Sequence, residues 1–143
     1  MAEALAKSFS NKDKNELSEK IKKVPEFIRG KVAEQLGNIF DKKSGEKILE
    51  TDKLSPPKNV ESFQGAVDYR VLAITCHNFA LESYKKQGEV EGMKRIGDAY
   101  VARGNYEKAI SIYKDVQSID PKLLDIERNC VLLFMESEVM NKK

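Results

Sequence analysis

The sequence predicts an all-α fold built from antiparallel helical hairpins, and three observations lead there. Apolar residues recur three and four apart in nearly every long segment, the spacing that lines one face of a helix. Alternating β-branched runs closed by turn residues are weak throughout the chain. Glycine and proline stand where helices stop and start, at Pro25, Gly88, Gly104 and Pro121.

The length of 143 residues, with 41% hydrophobic and 34% charged residues, is that of a globular chain able to bury one ordinary core. Lys and Glu are interleaved and the formal net charge is only +2. Nucleic acids and anionic membranes both select a concentrated basic face, so this pattern argues against either as the main partner. The longest largely apolar run, 71–81, is far short of the roughly 20 residues that cross a bilayer. Residues 1–14 carry Glu3 and Asp13 and lack an apolar stretch, which excludes a secretory signal, and the chain reads as cytoplasmic. Cys76 and Cys130 are widely spaced and form neither a disulfide framework nor a zinc-ligand pattern, so both are expected reduced and packed.

The first helix is expected over 12–24, with Leu17, Ile21, Val24 and Ile28 on one stripe and lysines on the other. Proline suits a first helical turn and disfavours helix in the residue before it, so a second helix starts at Pro25 and carries Phe27, Ile28, Val32, Leu36, Ile39 and Phe40. Gly30 and Gly37 cost that helix about 1 kcal/mol each unless close packing uses them. Ser44-Gly45, Ser55-Pro56-Pro57 and Asn59 make 41–62 read as a loop or hinge, its Ile48-Leu49 island alternatively one packed helical turn, with a boundary near Pro57 between an N-terminal helical region and linker, 1–57, and a helical domain, 58–143. A long helix over 62–87 has a middle, 71–81, that is apolar on almost every side and so is expected to be covered on more than one face. Helices over 90–103, 105–118 and 122–140 follow. Gly88 and Gly104 fit C-terminal caps, Asn105 an N-cap and Pro121 a first turn.

Residues 93–121 carry the most specific pattern. Ile96-Gly97 and Tyr100 fall on one helix, Gly104 and Tyr106 on the turn, and Ala109, Tyr113 and Pro121 on the next. Small Gly97 and Ala109 on facing helices allow close approach, with the tyrosines filling the space around the contact. This spacing resembles the tetratricopeptide repeat, a helix-turn-helix of 34 residues. Met93 stands where that family often has Trp, and Val116 where it usually has Ala. One clear repeat, at about 90–123, is flanked by degenerate units. Leu72, Thr75 and Phe79 lie one period earlier, and Cys130-Val131 with Phe134 one period later. The resemblance implies a fragment of an α-solenoid with additional N-terminal helices, because one repeat cannot bury both of its faces.

The resemblance further implies a non-enzymatic protein-interaction module, an adaptor or scaffold that takes a peptide or helix of a partner in a concave face. In such repeats the first helix of each pair lines the groove, which selects Glu91, Lys94, Asp98 and Val101 here. Equivalent places in the last helix are Asp125, Arg128, Leu132 and Met135. That surface suits a peptide with one anionic group near Lys94 or Arg128. Asp98 stands where a carboxylate clamp would need Asn, which argues against a chaperone-tail receptor. The last helix is apolar in every direction over 131–135, so its free face is either covered by the N-terminal helices or open to a partner or to another copy.

His77 is the single histidine and adjoins Cys76. Neighbouring helical residues point about 100° apart, so the two do not form a nucleophile and base by themselves. No phosphate-binding loop, metal-ligand motif or catalytic signature occurs, and no catalytic residue, metal or cofactor is expected. The alternative function is nucleic-acid binding through Lys12, Lys14, Lys20, Lys22, Lys23 and Lys31. Those lysines alternate with Glu16, Glu19, Glu26 and Glu34, the pattern of a solvated face.

Overall fold

The computed structural model describes residues 1–9, 13–119, 121–122, 129, 132–135 and 137–138. It is helical, with no strand among the described residues. Six helices run in order: α1 (Ala2–Ser8), α2 (Lys14–Lys22), α3 (Glu26–Thr51), α4 (Lys58–Gln87), α5 (Val90–Ala102) and α6 (Tyr106–Ile119). The chain divides into two compact units, Met1–Ser83 and Tyr84–Lys143. The division falls inside α4 and not near Pro57, so 58–83 belongs with the N-terminal helices.

In the first unit, the Asp13 carboxylate accepts from the Asn15 N–H at 2.9 Å and starts α2 as an N-cap. The Arg29 guanidinium donates to the Lys22 and Val24 carbonyls at 2.9–3.2 Å, satisfying acceptors that the end of α2 leaves open. Helix α1 was not expected. It buries Ala2 and Ala6, and Phe9 just beyond it meets Phe40 edge-on at 6.1 Å. Phe40 in turn stacks on Tyr69, and Leu17, Ile21, Val32, Leu36, Leu72 and Cys76 complete the core. Phe27, which the second expected helix carries, is exposed.

The expected loop over 41–62 is largely helix. Helix α3 passes through Ser44-Gly45 and ends at Thr51, and the loop shrinks to 52–57. Lateral bonds to α4 explain the difference. The buried Ser44 hydroxyl donates to the Ala66 carbonyl at 2.8 Å, and Ser62 donates to the Lys47 carbonyl at 3.1 Å. Serine has reason to stay helical where its hydroxyl ties the next helix. Gly37 lets α4 come close, since a Cβ there would lie 2.5 Å from the His77 ring.

The second unit begins with the last turn of α4. Gly88 has φ +69° and Gly104 φ +79°, the left-handed conformation expected of both. At each, two backbone bonds close the helix end: Gly88 N–H to Lys85 O and Glu89 N–H to Tyr84 O, then Gly104 N–H to Val101 O and Asn105 N–H to Tyr100 O. This is the Schellman arrangement, used twice. Asn105 caps α6, its side chain accepting from the Lys108 N–H at 3.3 Å.

Helices α5 and α6 pair through Met93, Ile96, Tyr100, Ala109, Ile112, Tyr113 and Val116, all buried. The expected Gly97 contact differs in its partner. A Cβ on Gly97 would sit 2.6 Å from the Tyr113 ring, so the glycine makes room for that ring. Gly92 does the same under Tyr84, again at 2.6 Å. Tyr106, expected in the packing, lies at the edge with about a third of its surface exposed. Pro121 and Lys122 form a turn, and the described part of the last helix is 129, 132–135 and 137–138.

Candidate interaction surface

The α5 residues singled out above lie three, seven and ten positions from Glu91, so one face of the helix carries all four. Glu91 is exposed and Val101 half-buried. Lys94 and Asp98 are not free to face a ligand as expected. The Lys94 side chain is only 8% exposed, and its Nζ lies 2.6 Å from Glu91 Oε1. A long lysine buries its methylene stem readily while the ammonium emerges at a carboxylate. That ammonium is thus engaged by the Glu91 carboxylate. Asp98 accepts the Tyr113 hydroxyl from α6. A buried tyrosine needs an acceptor for its O–H, so Asp98 helps to pair the helices. The face therefore presents Glu91, the edge of Asp98 and Val101, with Lys94 beneath them.

Of the last-helix positions, Asp125 and Arg128 lie outside the described residues. Leu132 and Met135 are each 3% exposed and are packing residues, whereas Leu133 and Phe134 are 67% exposed. The open side of that helix is thus carried by 133 and 134, each one position from a residue where the repeat pattern puts it. Gln117 of α6 donates to the Asn129 side chain at 2.7 Å.

A second surface was missed by sequence reasoning. A groove of about 240 Å³ between α3 and α4 is lined by Ser44, Ile48, Phe63, Ala66, Val67, Arg70 and Val71. The signal was available in the three- and four-residue spacing of Val60, Phe63, Val67 and Val71. It was obscured because 41–62 reads as a loop.

His77 and Cys76 are both fully buried. His77 Nε2 lies 3.0 Å from Asn38 Oδ1, which makes that nitrogen the donor, and Nδ1 lies 3.9 Å from Asp41 Oδ2. Asp41 also faces Arg70 Nε at 3.7 Å. The histidine thus belongs to a polar tie between α3 and α4. Cys130 lies outside the described residues. Among the described residues no cluster of three or more His, Cys, Asp and Glu could hold a metal. No helix among them is long and apolar enough to cross a membrane. Of the lysines considered for nucleic acid, Lys20 pairs with Glu16 at 3.7 Å and Lys22 with Glu19 at 3.5 Å, while Lys12 lies outside the described residues.

Comparison with protein-family models, with curated proteins and with solved structures gives no match.

Proposed function

We propose that the chain is a tetratricopeptide-like interaction module, an adaptor or scaffold that holds a peptide or helix of another protein against the outer face of α5. The observation that carries this reading is the close fit of the α5–α6 hairpin. Gly97 beneath the Tyr113 ring and the buried Ile96, Ala109 and Ile112 complete the pairing on one side of α5. Glu91 and Val101 remain on the other side, an acidic and an apolar group about three turns apart. A peptide suited to this face sets an apolar side chain against Val101 and a hydrogen-bond donor against the exposed Glu91 carboxylate, whose charge Lys94 already balances.

The test is capture from native extract with the full chain, comparing the wild type with Glu91→Arg combined with Val101→Asp. Both positions lie outside the helix-pairing core, but Glu91 balances the buried Lys94 and Val101 is half-buried, so circular dichroism and a urea midpoint on the same double variant establish that the fold is intact. Loss of the captured partner with an intact fold is the expected outcome. Unchanged capture places recognition elsewhere, with Leu133 and Phe134 the next face to alter.

A further inference from the structure

The 52–57 loop and the start of α4 carry a pattern that the fold leaves unused. Ser55-Pro56-Pro57-Lys58 sets a proline one place and a lysine three places after a hydroxyl, and Ser55 is the only serine or threonine of the chain that proline follows. All four residues are exposed. Elsewhere in the α3–α4 hairpin the hydroxyls of Ser44, Thr51 and Ser62 each donate to a backbone carbonyl at 2.8–3.1 Å. The Ser55 hydroxyl donates to no described residue. Its backbone is accessible too. Leu54 and Ser55 lie outside both helices, and the rings of Pro56 and Pro57 hold φ near about −65°, close to an extended chain. Ser55 is tied to α4 by the bond from the Asn59 N–H to its carbonyl, at 3.2 Å, and the end bond of a helix opens readily.

The chemistry that reads such a segment is proline-directed phosphoryl transfer. A kinase subsite that is apolar and offers no acceptor admits proline at the next position and rejects other residues, whose N–H would be buried without a partner. A cation three places on can then pair with an acidic group of the enzyme. We propose that Ser55 is a phosphoacceptor site for a proline-directed serine kinase that selects a basic residue three places on. The kinase's base takes the hydroxyl proton, Ser55 Oγ attacks the γ-phosphorus of ATP to form the new O–P bond, and the bond to the β-phosphate oxygen breaks as ADP leaves. The product suits its surroundings. A phosphoserine brings a charge of about −1.5 to −2. Lys53 and Lys58 flank it, both exposed and in no ion pair among the described residues. The nearest acidic residues in sequence, Asp52 and Glu61, lie beyond those lysines. Pro56 and Pro57 have no N–H, so the Lys58 amide is the first donor after Ser55, at the spacing from which an N-cap side chain accepts. Phosphorylation thus caps α4 and orders the turn that leads into it.

This inference is independent of the reading of α5. Its test is incubation of the full chain with a purified cyclin-dependent kinase and ATP·Mg²⁺, the product read by mass spectrometry and peptide mapping. One phosphate on Ser55 is the expected result, absent in Ser55→Ala. Pro56→Ala should lower kcat/KM for the chain by about 10-fold or more, the effect of one buried N–H without an acceptor. Lys58→Ala should lower it by about 2- to 5-fold, the range of an exposed ion pair. A synthetic peptide of residues 50–62, run beside the chain, separates two ways for the proposal to fail. If the peptide is phosphorylated and the folded chain is not, the loop is closed to the kinase; if neither is, the pattern is not read. Uptake that persists in Ser55→Ala also overturns the site. In the phosphorylated chain, hydrogen exchange at the Lys58 amide should slow several-fold, and unchanged exchange would overturn the capping of α4.

Discussion

The α3–α4 and α5–α6 hairpins hold their helices together by different means. The long hairpin is pinned at intervals by polar ties: Ser62 to the Lys47 carbonyl, Ser44 to the Ala66 carbonyl, Arg70 beside Asp41, and His77 on Asn38. The short one relies on fit, with a tyrosine ring seated over a glycine and aliphatic side chains around it, and the Tyr113 hydroxyl bonds to Asp98 across the pair. Directional bonds at intervals fix the register of two long helices that also share the Phe40–Tyr69 stack. Shape does the same for the two short helices. The difference teaches that a hydrogen-bonded seam leaves apolar surface over for other uses. In α4 the residues turned toward α3 include Ser62, Ala66, Arg70 and His77, and the bulky Phe63, Val67 and Val71 stand partly exposed along the groove beside them.

The comparison is broken most severely by filling the shape-fitted seam. Ala109→Arg puts a charged side chain where no surface is exposed, and the α5–α6 pair should lose more than about 3 kcal/mol through overpacking and an unpaired charge together. Urea denaturation followed by circular dichroism reads this. A midpoint within error of the wild type would mean that the hairpin does not pack through Ala109.

Two glycines of α3 sharpen the comparison at smaller cost. Gly37→Ala gains helix propensity, but its Cβ meets the imidazole of His77, which is held by Asn38, so a net loss of about 1–2 kcal/mol is expected. Gly45→Ala meets nothing within 4 Å and should gain up to about 1 kcal/mol from the same propensity. Opposite signs at two glycines eight positions apart in one helix would separate the seam from the solvent face. A stabilising Gly37→Ala would show that the His77 tie yields easily.

The legibility of the two hairpins follows from the same distinction. Around α5 and α6 the packing signal lies in residue types: Gly97, Tyr100, Ala109 and Tyr113 sit where a close helix pair needs them, and Gly88, Gly104 and Asn105 mark the ends. All of this can be read from the sequence. Around α3 and α4 the signal lies in bonds made only on contact. Ser44-Gly45 carries turn chemistry on paper, and only the Ala66 carbonyl makes that serine a helical residue. Helix α1 was illegible because two alanines and one phenylalanine give almost no periodic contrast. The α5 face was half legible. Spacing placed Glu91, Lys94, Asp98 and Val101 together, but it could not foresee that Lys94 and Asp98 already have partners in Glu91 and Tyr113.

The polar ties of the long hairpin also bear on the order in which it forms. They join residues 15, 22 and 39 apart in sequence as they move away from the 52–57 loop. Closing the longest loop directly costs about 0.8 kcal/mol more than closing the shortest, and it fixes no neighbour on the way. Made in sequence, each tie leaves the next needing only a few more residues per strand of the hairpin, so closure from the loop outwards is the cheaper route. Folding rates should then respond to Ser62→Ala, whereas His77→Gln should mainly speed unfolding, the signature of contacts made before and after the rate-limiting step. The reverse pattern in a chevron plot would mean that the His77 end closes first. The short loop at 52–57 is, on this account, where the hairpin begins to fold.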